Sequence, residues 1–356
     1  MSNAKKAMKK YLKPGLQPKK NPEAHWKKAL PWKLDPTRYL PNYYTYMQIM
    51  TDAERALYAK SDIVFVHVPR SGGTSMNTCM QSLTSKNKDF EDSLTFVSDS
   101  RHEAAMKYLS EESEKRRMVS GEFAFHACDR MSGRPCAYVL LMRDPYERVV
   151  SNYKLCKRHS HSHSHFYCKL NASSVSLVDW AIMEGSPVFR QLLAMPNVCN
   201  FLKHIHLDLE ETFHIDDEIL LKKDVPCWVA LQGFFQNALT KEQTLNLSAY
   251  VANNMELWFA AVGTLSNFGL YINTLSGIFH LRDQHCTRLH RNKGFDDEFK
   301  KNASSVVEML QELKSNSRVK EALAADLILW ERVKEVERQQ NGFPLQRVSW
   351  SKENND

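Results

Sequence analysis

The stretch 63–83, reading IVFVHVPRSGGTSMNTCMQSL, constrains the fold more than any other part of the chain. Ile63, Val64, Phe65, Val66 and Val68 form a near-continuous apolar, β-branched run, the pattern of a strand covered on both faces of a parallel sheet. Arg70, Ser71, Gly72, Gly73, Thr74 and Ser75 follow at once, and a helix is expected beyond them. Two glycines allow a tight turn and close backbone approach to an anion, while Ser71, Thr74 and Ser75 offer hydroxyls that can cap the helix or bind the same anion. The helix N-terminus adds unpaired N–H groups and the positive end of its dipole. Taken alone, the segment also reads as an ordinary glycine turn between a strand and a helix.

A second strand-to-helix junction lies further on. The apolar run 137–142 ends at Arg143, Asp144 and Pro145, where Pro145 suits the first helical position and Asp144 its N-cap, so a helix is expected over 146–153. Ser151 lies eight residues after Arg143, about two helical turns on. In an open parallel sheet ligands bind beyond the carboxyl ends of strands, so both junctions can face one crevice. Alone, this motif is also compatible with a plain Asp-Pro helix start whose Glu147 and Arg148 stand in solvent.

The remaining pattern alternates strands and helices, which argues for a parallel α/β sheet. Strands are expected at 95–97, 118–123 and 258–262. Helices are expected at 43–60, 103–109, 175–184, 188–195, 241–256, 265–279 and 319–337, several of them amphipathic. No internal repeat is visible. With 43% hydrophobic and 25% charged residues, most of the 356-residue chain reads as globular and excludes a fibrous or wholly disordered protein.

The net charge of +7 belongs to one end. Residues 1–40 hold ten Lys and one Arg against Glu23 and Asp35, a local excess of nine positive charges, so the rest of the chain sums to −2. With its many prolines this leader, 1–50, reads as a solvated and partly disordered tail. The chain holds no apolar run of about 18 residues and no signal-peptide core, so as written it reads as soluble. Eight cysteines scattered over a chain of this length do not declare a disulfide scaffold, and the redox compartment stays open.

The pair HVPRSGGTS and RDPYERVVSNY resembles the 5′-phosphosulfate loop and the 3′-phosphate motif of carbohydrate sulfotransferases, in the branch similar to heparan sulfate 2-O- and 6-O-sulfotransferases. The likeness extends to Gly121-Glu122-Phe123, to WFAAVGTL at 258–265 and to LWERVK at 329–334, and covers roughly residues 60–338. It implies an α/β, P-loop-like three-layer domain over 60–340, with a central, mostly parallel sheet flanked by helices and a tail at 341–356. It further implies transfer of a sulfuryl group from 3′-phosphoadenosine 5′-phosphosulfate to a hydroxyl, with a carbohydrate acceptor, no metal requirement and no nucleic-acid partner. By this likeness Arg70, Ser71, Gly72, Gly73, Thr74 and Ser75 hold the 5′-phosphate, and Arg143 and Ser151 hold the 3′-phosphate. Arg291 and Lys293, in the basic segment 287–294, are the counterparts of a loop closing over the nucleotide. The family setting is the Golgi, reached with an N-terminal membrane anchor that this chain lacks, so the start is incomplete or the protein is a soluble relative. Oligomeric state is not legible.

Two positions depart from the family pattern. Arg70 stands where Lys is usual, keeping the charge but exchanging a mobile ammonium for a planar fork. Glu122 stands where this branch commonly has a His base; a carboxylate serves if desolvation raises its pKa, and His126 is the alternative base. The departures leave open a catalytically impaired binding protein. A P-loop kinase or NTPase is disfavoured because the Gly-Lys-Ser/Thr ending is missing.

His159, His161, His163 and His165 with Cys168 read as a flexible polar insert rather than a metal site. Cys156 and Cys168 bracket that insert and can close it in an oxidising lumen. Asn171, Asn246 and Asn302 each open a glycosylation triplet compatible with a secretory route.

Overall fold

A computed structural model describes residues 39–91, 94–97, 102–131, 133–158, 174–193, 239–281 and 303–342. Arg291, Lys293, the histidine insert, Cys168, Asn171, Asn302, most of the leader and residues 343–356 lie outside the described residues.

Five strands form one sheet: β1 (Asp62–Val66), β2 (Thr95–Phe96), β3 (Met118–Gly121), β4 (Cys136–Met142) and β5 (Ala261–Thr264). Their spatial order is β2-β3-β1-β4-β5, and every pairing is parallel. The apolar runs of β1 and β4 are explained by this position, since all their residues are buried. Alternation sorts their side chains to the two faces. Ile63 and Phe65 pack on α3 (Gly73–Lys86) and α10 (Phe268–Phe279) through Met76, Met80, Ile272 and Leu275. Val64 and Val66 join the opposite cluster with α8 (Pro187–Leu193), α9 (Lys241–Trp258) and α13 (Ala324–Gly342). The result is the expected three-layer α/β arrangement.

Smaller elements complete it. α1 (Tyr43–Tyr46) and α2 (Asp52–Lys60) replace the single expected helix, because Thr51 and Glu54 form a capping box that starts a new helix at Asp52. α4 (His102–Ser110) covers the sheet near β3, and a 3-10 turn (Ala124–His126) leads into α5 (Ala127–Arg130). α6 (Pro145–Arg158), α7 (Leu177–Glu184), α11 (Ala303–Ser315) and α12 (Ser317–Ala322) build a satellite core around Val149, Trp180 and Leu313.

Two expected boundaries are corrected. The strand expected at 258–262 lies at Ala261–Thr264, because Trp258 closes α9 and Phe259 N still bonds Met255 O in that helix. The helix expected over 319–337 is broken at Leu323 into α12 and α13. Among the described residues no helix is long and apolar enough to cross a membrane.

This topology fixes where a ligand can sit. The chain leaves β1 toward β2 and β3, but leaves the neighbouring β4 toward β5. Between them the connections diverge, and the carboxyl ends of β1 and β4 open a crevice.

Candidate functional site

The loop after β1 turns on its backbone. Ser71 N donates to Val68 O at 3.2 Å, Arg70 has φ of 67°, and Gly72 has φ of 86°. Gly72 is the N-cap of α3 and no side chain caps it. The expectation that Ser71, Thr74 or Ser75 would cap this helix is therefore corrected: a left-handed glycine makes the cap, and Met76 N to Gly72 O is the first bond of the turn. Thr74 is exposed and Ser75 half-buried at the helix start, whereas Ser71 Oγ is buried and has no hydrogen-bond partner among the described residues. Gly73 is required by close approach, since a Cβ there would lie 1.7 Å from His67 Nε2.

The second junction forms as expected. Asp144 Oδ1 accepts from Tyr146 N at 2.9 Å and Glu147 N at 3.1 Å, starting α6 at Pro145. Arg143 is 8% exposed, with its Nε 3.1 Å from the Oε2 of a half-exposed Glu147. Ser151 lies inside α6 and is the point where the two motifs meet. Arg70 donates to Ser151 Oγ from Nε at 3.1 Å and from Nη2 at 3.0 Å. Burial lowers the pKa of Arg70, and the charges of Arg143 and Arg158 lower it further. Cationic side chains thus converge where neither sequence motif alone would concentrate them.

Beside this cluster lies a small cleft. Val68, Pro69, Phe123 and Val188 form its apolar walls, and Glu122, Arg148, Asn152, Glu184 and Gln191 its polar ones. Arg148 contradicts the solvated reading: it is 2% exposed and pairs with Glu184 Oε1 at 2.7 Å. Glu184 also accepts from Asn152 Nδ2 at 3.1 Å and Trp180 Nε1 at 3.2 Å. Arg148 Nε and Nη2 remain without partners among the described residues. Behind the pair, Asp326 accepts from Val188 N and Phe189 N, and burial raises its pKa to about 6 against the opposing pull of Arg148 and Arg190.

The structure thus brings Arg70, Ser71, Arg143, Ser151 and Glu122 to one end of the sheet, while His126 ends the 3-10 turn that follows Glu122. Arg148, Glu184, Asn152 and Gln191 were not singled out by the sequence. For Arg148 and Asn152 a signal existed in their four-residue spacing on one helix face with Tyr153 and Val149; for Gln191 there was none.

A parallel sheet carries a glycine loop, a helix N-terminus with no side-chain cap and buried arginines at its switch point, an arrangement whose chemistry suits an anionic ligand at that edge of an α/β domain. Residues 57–194 match the model of the Sulfotransferase family. No curated protein and no solved structure matches the chain.

Proposed function

We propose that the chain transfers a sulfuryl group from 3′-phosphoadenosine 5′-phosphosulfate to a hydroxyl, with a carbohydrate acceptor and a catalytic domain spanning 60–340, in the branch resembling heparan sulfate 2-O- and 6-O-sulfotransferases. The double contact of Arg70 with Ser151 carries this reading, because it makes the loop after β1 and the motif after β4 walls of one site. A donor with phosphates at both the 5′ and 3′ positions needs two such walls. The first-turn N–H groups of α3, with Ser71, Thr74 and Ser75, bind the 5′-phosphate. Arg143 and Ser151 bind the 3′-phosphate, and Arg291 and Lys293 add contacts by family likeness.

Glu122 is favoured as base because it lines the cleft beside Pro69. It takes the proton of the acceptor hydroxyl as that oxygen bonds sulfur. The bond from sulfur to the 5′-phosphate oxygen breaks, Arg70 offsets the charge on that oxygen, and adenosine 3′,5′-bisphosphate departs. His126 is the alternative base. The engagement of Arg70 with Ser151 also favours a second reading, a binding protein without turnover, since a held guanidinium follows a departing oxygen less readily than a lysine. A secretory lumen, the Golgi by likeness, is supported by oxidised cysteines.

Calorimetry with adenosine 3′,5′-bisphosphate, alongside a labelled-sulfate assay over glycans, tests this. Binding is expected for the native chain. Arg143→Ala should weaken it by roughly 2 kcal/mol, about 30-fold, the scale of a lost charge-assisted bond. Unchanged affinity in that variant overturns the 3′-phosphate assignment. Glu122→Gln should keep nucleotide affinity and abolish transfer; full activity moves the base to His126 or elsewhere.

A further inference from the structure

We infer that Gln191 is a positioning residue that holds the candidate base in register with the donor loop; the inference rests on the transfer reaction proposed above. Its side chain is buried, and Nε2 donates to two backbone carbonyls, His67 O and Glu122 O, each at 2.9 Å.

The position of those carbonyls gives the contact its meaning. β1 and β3 are paired up to Val66 and Gly121, and the last bond between them is His67 N to Gly121 O at 3.0 Å. Beyond it the strands part. One runs through Pro69 into the glycine loop, the other through Glu122 into the 3-10 turn. At the fork two carbonyls need donors that neither strand supplies to the other. A primary amide nitrogen carries two hydrogens and can satisfy both, so Gln191 acts as one more rung across the opening.

The rung is itself anchored. α8 is fixed at its first turn to the start of α13, where Asp326 accepts from Phe189 N at 2.8 Å and Val188 N at 3.3 Å, and Ser186, just before α8, donates from Oγ to Ala322 O at the end of α12 at 2.9 Å. The spacing between the loop that holds the leaving group and the backbone that carries Glu122 is thereby set by a helix outside the sheet. A displacement of about 1 Å between reacting groups costs on the order of 100-fold in rate. Losing the rung should therefore act on turnover before it acts on binding.

Two variants separate positioning from general support. Gln191→Met keeps length and loses both hydrogens. Its kcat for sulfuryl transfer should fall about 10- to 100-fold, with the bisphosphate Kd within about three-fold of native. Gln191→Glu sets a carboxylate against two carbonyl oxygens at neutral pH, but once protonated it donates to one of them. Its kcat relative to native should rise as pH falls, because protonation restores one donor in the variant while loss of the carboxylate base on acidification affects both proteins alike. A native-like kcat in Gln191→Met, or equal losses in kcat and affinity, overturns the inference. Hydrogen exchange reads the clamp without turnover. In Gln191→Met, amides in 67–73 and 121–126 should exchange faster while those in α9 and β4 are unchanged, and identical exchange overturns the proposal. Failure of the native chain to bind the bisphosphate would instead overturn the donor reading, leaving the exchange result to decide the clamp.

Discussion

His67 sits one residue past β1, its ring stacked near Phe65 with centroids 6.0 Å apart and its Nε2 against the Cα side of Gly73. Burial, with the Arg70 charge second, pushes its pKa down to about 4. The ring is therefore neutral in the folded chain near neutrality, and its ordinary value near 6.5 returns on unfolding. Between these values the unfolded chain binds more protons, so stability is fully present above about pH 6.5 and is lost as pH falls toward 4. The loss between pH 7 and 5 comes to about 2 kcal/mol. In His67→Asn that part of the acid sensitivity should vanish, as read by urea midpoints at the two pH values; parallel losses in both proteins would contradict the neutral, buried ring. Legibility at this scale followed from where each partner lies. Arg70, the glycines, Arg143 and Ser151 were readable because their chemistry is written in short motifs at strand ends. Arg148 carried no signal beyond the compatible reading of a solvated side chain, because Glu184, the partner that buries it, is 36 residues away. Gln191 was invisible because it bonds only backbone, and every segment has backbone.

α13 shows how a helix can complete a sheet. β5 is an edge strand, and its outward N–H and C=O groups would otherwise be open to pairing with another chain. Gln340 closes them: its Oε1 accepts from Val262 N at 3.2 Å and its Nε2 donates to Val262 O at 2.7 Å. The same Oε1 accepts from Asn42 Nδ2 at 2.9 Å, tying the entry of α1 to the arrangement. One turn earlier Glu337 accepts from Thr264 N at 2.7 Å and from Asn267 Nδ2 at 2.8 Å. Gln340→Leu should therefore cost about 3 kcal/mol, because it strands Val262 N and Val262 O in a buried place and leaves the Asn42 amide only its longer bond to Phe259 O. Chemical denaturation reads this directly, and a loss under about 1 kcal/mol would show that the edge is held by packing alone. The parallel sheet and its flanking helix layers were legible in the alternation of apolar runs, but the strand order and the place of β5 were not. The residues Trp258 to Val262 are apolar and favour strands, and a helix that ends buried has the same local composition. Likewise Val319, Leu323 and Leu327 keep a helical apolar spacing straight through the break at Leu323, so periodicity alone sees one helix where Asn316 caps a short separate one.

For the molecule as a whole, the oxidation state of its cysteines decides where the fold can be kept. Four cysteines lie among the described residues, and all four are disulfide-bonded. Cys128 and Cys136 pair across a separation of eight residues, joining α5 to the first residue of β4. Cys79 lies in α3, which begins at the glycine loop after β1, and Cys156 lies in α6, five residues after Ser151. The cross-links therefore attach to the helices that carry the candidate site and to the segment between Glu122 and β4. Closing a loop as short as that between Cys128 and Cys136 is worth about 2.5 kcal/mol on chain-entropy grounds, and glutathione-buffered compartments keep such thiols reduced. Protein from an oxidising secretory host, unfolded without reductant in an alkylating reagent, should leave Cys79, Cys128, Cys136 and Cys156 unlabelled by peptide mass spectrometry. Reduction before unfolding should label all four and lower the denaturation midpoint, with the bisphosphate site weakened because α3 and α6 lose their ties. Labelling of any of the four in the unreduced chain would remove the case for a lumenal setting, and a site unaffected by reduction would show that the site-facing ends of these helices are held by the sheet alone.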